Sequence, residues 1–175
     1  MANHRPFKDL DSFRSQIEDV KNRAKKFGRE DKVRFAVNGF VIVRPTEEEA
    51  IQVLREIQGK ADADAVNAFH DAVQQAGAST ANKKGMWADS TFNDLVQYND
   101  GFKTKLIGTA EQVADRILLL KSIGVNLILT AFLHYESEIE IFGREVIPLV
   151  RTLEVKGRGK NPEEEIRRTG HVYKN

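Results

Sequence analysis

Two apolar runs set the limits on how this chain can fold. VRFAVNGFVIV (residues 33–43) and VNLILTAFL (residues 125–133) are β-branched and aromatic and lose polar alternation. Runs of this kind read as strands buried on both faces, the habit of parallel sheets covered by helices. Around them the apolar spacing changes to three and four. Leu10, Phe13, Ile17, Val20, Ala24 and Phe27 make an amphipathic stripe ending at Gly28. Thr46 and Glu49 form a capping box for a helix to about Gln58, and residues 62–76 read as an alanine-rich helix closed by Gly77. Residues 78–88 lack periodicity and read as a loop, followed by a short helix opened by Asp89-Ser90-Thr91-Phe92 and reaching about Tyr98. Gly108-Thr109-Ala110-Glu111-Gln112 supplies a second capping box ahead of the stripe Val113, Ile117, Leu120 and Ile123. A closing helix from His134 to about Leu153 carries Ile139, Phe142, Val146, Leu149 and Val150.

Helices alternating with buried strands mark parallel α/β architecture. Only two strands are evident, and two parallel strands make no stable sheet alone, so the pattern is that of a slice from a larger one. The chain has 175 residues. That suffices for one core but falls short of the roughly 250 residues of a (β/α)8 barrel. Residues 155–175 are poor in apolar groups and read as a C-terminal surface arm following an α/β region over 1–154.

Charge narrows the partners. Lys plus Arg number 27 against 26 Asp plus Glu, a net +1, so no global field draws the chain to nucleic acid. The mean hydropathy of −0.45 and the absence of a long apolar window argue against a membrane span. No cysteine is present, which removes thiolate nucleophiles and Cys-containing zinc sites, and any redox chemistry must be borrowed. With no apolar leader in MANHRPFKDLDSF, the expectation is a cytoplasmic protein. His4, His70 and His171 are scattered without ligand spacing, so no metal site is expected.

Three stretches carry a family likeness: FAVNGFVIVRPTEEEA, MWADSTFNDLVQYNDGFKTKLIGTAEQVADRI and LILTAFLHYESEIEIFGREVIPLV. Together with the ending EEEIRRTGHVY they resemble the C-terminal part of bacterial-luciferase-like, flavin-dependent monooxygenases. Within that superfamily the likeness is to the dimethyl sulfone monooxygenases first and the alkanesulfonate monooxygenases next. The resemblance implies the C-terminal portion of a TIM (β/α)8 barrel, with 1–154 as barrel and 155–175 as arm. It also implies reduced FMN delivered by a separate flavin reductase, O2, a flavin hydroperoxide, and a small organosulfur substrate. The first strands of such a barrel, with most of the contacts to the FMN phosphate, have no counterpart here. Either the chain is a truncated product or it completes a barrel with an N-terminal half-barrel or as a homo-oligomer; self-association of the isolated chain is expected, because open strand edges and apolar helix faces associate.

The resemblance also points to residues. Where the alkanesulfonate enzymes carry an Arg and a His facing flavin and substrate, this chain has Asn38 and Phe40, an amide and an aromatic wall that suit a neutral sulfone. Asn38-Gly39 as a strand irregularity and Phe40 as core are the structural alternatives. Phe132 stands where the alkanesulfonate enzymes have Tyr, and His134 lies two residues on, at a strand end where barrels build sites. His134 can donate to the flavin hydroperoxide or position substrate, or simply start the closing helix. Tyr98 to Lys105 resembles the family's active-site loop: Asn99 replaces an Arg of a related enzyme, with Lys103, Thr104 and Lys105 beside it as anion contacts or as solvated surface. Trp87, the only Trp, is a lid residue or ordinary packing. Gly108-Thr109 offers helix N–H groups to an anion, a weak signal shared by every capped helix. Two functions follow: a flavin-dependent monooxygenase oxidising dimethyl sulfone or an alkanesulfonate, or a catalytically silent barrel fragment serving as an oligomeric association module.

Overall fold

In the computed structural model, which describes residues 8–79, 87 and 90–169, one strand organises the chain. β1 (Ala36–Val43) pairs in parallel with β2 (Leu106–Gly108) through Val41–Val43 and with β3 (Leu127–Ala131) through Ala36–Phe40, giving the order β2-β1-β3. The sequence pattern missed β2 and anticipated two strands; β2 has only three residues, too few for a period of two to register.

Helices fill the connections. α1 (Lys8–Lys25) precedes β1; α2 (Glu47–Gly59), α3 (Ala63–Ala78), α4 (Phe92–Leu95) and a 3-10 turn at Gly101–Thr104 lie between β1 and β2. α5 (Ala110–Ser122) joins β2 to β3. α6 (Tyr135–Ile141), a π-helical turn at Phe142–Val146, α7 (Ile147–Val155) and α8 (Pro162–Thr169) follow. Both expected capping boxes form: Thr46 with Glu49, and Thr109 with Gln112. A third, Thr91 with Asp94, opens α4, which ends at Leu95 rather than near Tyr98. Most of the loop read over 78–88, together with His4 and His171, lies outside the described residues.

The strand order explains the layers. The connection from β1 steps to one side, and that from β2 crosses back over β1 to the other; two right-handed crossovers in opposite directions set their helices on opposite faces. Accordingly Val41 and Val43 pack with Val113, Leu119 and Leu120 of α5, whereas Phe40 and Ile42 pack with Ala50 of α2 and with Val96 and Phe102. Phe40 through Val43 are 0–6% exposed, so the reading of a strand buried on both faces holds for this half of β1. The other half differs. Ala36 and Asn38 are exposed, and their cross-strand partners Leu127 and Leu129 are 54% and 58% exposed. In a closed barrel each strand neighbours the next in sequence and its inward side chains are covered from across the barrel; here β1 lies between β2 and β3 and this corner is open.

The segment after 155 is tied down. Arg158 donates to both Glu165 oxygens and to Asp115 of α5, the Gly159 N–H donates to Glu165, and Glu165 is 2% exposed. Burial by itself raises the Glu165 pKa, but the Arg158 hydrogen bonds, the Gly159 N–H and the charges of Arg158 and Arg168 outweigh it and hold the carboxyl below its ordinary value of 4.5.

Candidate functional site

Carboxyl ends of parallel strands face a common crevice where connections diverge, the usual place for ligands in open α/β sheets and in barrels alike. β1 and β3 end together here. A crevice of about 370 Å3 sits at this point, lined by Arg44, Pro45, His134, Ser137, Glu138 and Arg144 among others.

Glu138 is the hub of the crevice. Its Oε1 accepts from Arg44 Nη2 at 2.7 Å, and its Oε2 accepts from the Leu133 and His134 N–H groups at 2.9 and 3.1 Å. Arg44 Nη1 also donates to the Val43 carbonyl. One buried carboxylate thereby joins the end of β1, the end of β3 and the first turn of α6. The geometry satisfies a charge that burial would otherwise penalise. His134 occupies the N-cap of α6; its backbone is held by Glu138, while its exposed ring makes no capping hydrogen bond.

Phe132 lies beneath, 6% exposed, edge-on to Tyr135 and Phe142 at ring distances of 6.0 and 5.7 Å. It is core packing below His134 rather than crevice wall. The loop that resembles the family's active-site loop gathers on the other face of β1. Asn99 Oδ1 accepts from the Gly101 N–H at 2.7 Å and its Nδ2 donates to the Gln97 carbonyl, so its amide shapes the turn. A Cβ on Gly101 would sit 3.0 Å from the Phe40 nitrogen, which makes glycine the residue that lets this turn lie against β1. Phe102 then stacks on Phe40 at 4.9 Å. Thr104, 1% exposed, donates to the Gly101 carbonyl at 2.6 Å, and its own carbonyl accepts from buried Arg116. Lys103 is half-buried beside Asp100, whose carboxyl burial pushes above its ordinary value of 3.8 against the opposing pull of the Lys103 charge.

Asn99, Thr104 and Phe40 thus come together, His134 and Phe132 lie at the end of β3, and Asn38 stands apart on the open corner of the sheet. Gly39 needs its missing side chain: a Cβ there would meet Leu106 Cδ1 at 2.7 Å and Ile128 Cγ2 at 2.9 Å. Sequence reasoning overlooked Arg44 and Glu138, which are 94 positions apart. The one available signal was a cation directly following a buried strand.

The helix starts of α2 and α5 are partly occupied by their own caps. Thr109 N–H donates to Gln112 Oε1 and the Gln112 N–H to Thr109 Oγ1, while the start of α2 is capped by Thr46 and carries Glu47, Glu48 and Glu49. Each box occupies two N–H groups, and the three glutamates in the first turn of α2 disfavour an added anion there. No helix among the described residues is long and apolar enough to cross a membrane.

Parallel strands with crossover helices and a crevice at the strand ends define part of a (β/α)8-type enzyme fold. The chain belongs to the luciferase-like monooxygenase family, whose family model matches residues 3–127. It is 53% identical over 147 residues to an FMNH2-dependent dimethylsulfone monooxygenase of Pseudomonas fluorescens (strain Pf0-1), and 54% identical over 149 residues to one of Pseudomonas putida. These alignments cover 84% and 85% of this chain, which spans 40% of the length of either relative. A sulfoquinovose monooxygenase of Novosphingobium aromaticivorans is 25% identical over 149 residues, 79% of this chain and 41% of that protein. Among solved structures, a riboflavin lyase (RcaE) with modified FMN and riboflavin superposes with a TM-score of 0.63 at 20% identity, over 83% of this chain and 37% of that one. The fold is the C-terminal portion of the luciferase-like barrel, incomplete by itself.

Proposed function

We propose that the chain is the C-terminal portion of an FMNH2-dependent monooxygenase that oxidises a small organosulfur compound, dimethyl sulfone ahead of an alkanesulfonate. The observation carrying this reading is the identity of 53–54% over more than four-fifths of the chain to enzymes of that activity. A separate flavin reductase supplies the cofactor, and the remaining strands of the barrel, whether in the same polypeptide or in another, complete the site. The cysteine-free composition suits a reducing cytoplasm.

The residues present fit one side of FMN. The exposed His134 imidazole and the strand-end crevice suit the reacting end of a ring, whereas the acidic first turn of α2 does not suit its phosphate, which the resemblance assigns to other barrel strands. Reduced FMN, when bound, supplies the activation of O2. This chain then contributes a proton-exchanging group at His134, fixed through its backbone by Glu138. The Phe40–Phe102 pair, on the other face of β1, supports the Asn99–Thr104 turn rather than the His134 crevice. Lys103 and the Asn99–Thr104 turn are the substrate contacts on that face; Asn38, which stands apart on the open corner, would reach substrate only in a completed barrel, where its amide in place of a cation favours a neutral sulfone.

Anaerobic titration of the purified chain with reduced FMN, read by flavin absorbance, tests the cofactor half of this proposal. Saturable micromolar binding is expected once the barrel is completed. Absence of oxidised dimethyl sulfone from a completed, FMNH2-loaded barrel supplied with O2 refutes the substrate.

The open corner formed by Ala36, Asn38, Leu127 and Leu129 favours a second reading, in which the chain is a silent association module buried between copies. A monodisperse, cooperatively melting monomer in light scattering and calorimetry rules it out.

A further inference from the structure

Along β3, a groove of about 830 Å3 runs between the strand, the second half of α5, and α7. Its floor is apolar and includes Ile117, Val125, Ile128, Phe142, Ile147 and Val150. Its edge is cationic: Arg34, Lys121, Arg151 and Lys160 line it against a single carboxylate, Glu154, which Lys121 holds at 2.5 Å. Among the described residues, no carboxylate pairs with Arg34, Arg151 or Lys160.

We infer that this groove is a binding site for an amphiphilic organic monoanion, a carboxylate or sulfonate head on an unbranched apolar chain. The volume falls within the roughly 300–1,000 Å3 of small-molecule sites, and an apolar lining with a few placed charges is their usual composition. Three uncompensated cations over a low-dielectric floor focus positive potential into the groove, where an anionic head is attracted and its chain removes apolar surface from water. Inorganic phosphate would leave the floor wet, and a neutral alkane would leave the cations unused. The groove and the His134 crevice share no lining residue. The inference does not depend on the proposed oxygenase activity.

The test is calorimetric titration of the full chain with 1-octanesulfonate, with 1-octanol and sodium sulfate as the chargeless and chainless controls. The expected result is one saturable site for the sulfonate and binding at least tenfold weaker for both controls. Arg34→Gln with Arg151→Gln, two exposed positions, is expected to weaken the sulfonate about three- to tenfold, and Val150→Glu to abolish its binding. Octanol binding as tightly as the sulfonate, an unchanged affinity in the double variant, or no saturation each overturns the site. Loss of binding as the chain concentration is raised overturns it too, by assigning the groove to a second copy.

Discussion

Glu138→Ala removes three hydrogen bonds at once, from Arg44 Nη2 and from the Leu133 and His134 N–H groups. The side chains of Arg44 and Glu138 are 23% and 7% exposed, so the pair is not a surface bridge, whose worth is about 0–1 kcal/mol. Removing one partner of a buried pair costs about 3–5 kcal/mol, and the partial exposure of Arg44 moves this case toward the low end. The two orphaned N–H groups lie near a crevice that water can reach and add about 1 kcal/mol between them. A loss of about 3–4 kcal/mol is therefore expected in urea unfolding followed by circular dichroism. A domain stable by about 5–15 kcal/mol can be brought close to unfolding by that loss. Glu138→Gln, which keeps an acceptor oxygen, therefore provides the milder comparison at about 2 kcal/mol. Arg44→Ala and the double variant complete a cycle, with an expected coupling of about 1.5–3 kcal/mol. Amide exchange should accelerate at Leu133 and His134 in particular. A Glu138→Ala cost below about 1 kcal/mol at unchanged m-value, or strict additivity with Arg44→Ala, refutes the hub.

Other outcomes follow from the same geometry. Gly39→Ala drives a Cβ to 2.7 Å from Leu106 and 2.9 Å from Ile128, and should cost about 1–3 kcal/mol in thermal melts as those side chains give way. Because the Glu165 pKa is held below 4.5 in the folded chain, its contribution is complete above the unfolded value and fades as pH falls through the lower folded one. Hydrogen exchange in α8 should therefore rise on acidification below about pH 4.5 and change little between pH 6 and 8. Leu127→Lys with Leu129→Lys should lower the mass seen by light scattering at high concentration if the open corner of the sheet mediates association; an unchanged mass assigns association to another surface.

What could be read in advance was what is local. Thr46-Glu49 and Thr109-Gln112 announce their helices because a capping box is four consecutive residues long. The Phe40–Val43 half of β1 announces burial because its apolar side chains leave no polar face. β2 stayed hidden because Leu106-Ile107-Gly108 is shorter than any pattern, and strand order stayed hidden because crossovers leave no mark in composition. For the site, His134 was marked by its place at a strand end. The roles of Asn99 and Thr104 in shaping their turn were not legible, since an amide that closes a turn and an amide that meets a ligand are the same residue in sequence. Arg44 and Glu138 were missed because a contact across 94 positions is written in the fold alone.

The central position of β1 bears on how quickly this chain can fold. β1 is synthesised before either of its partners, yet its pairing with β3 brings Phe35 against Asn126, 91 positions away. Closing so long a loop costs entropy before any ladder is gained, which slows the rate-limiting step relative to a helical bundle of equal size. During synthesis the apolar second half of β1 waits for partners that emerge later. In that interval it depends on α2, its neighbour in sequence, for cover, and mutations that weaken α2 should reduce soluble yield more than they reduce final stability.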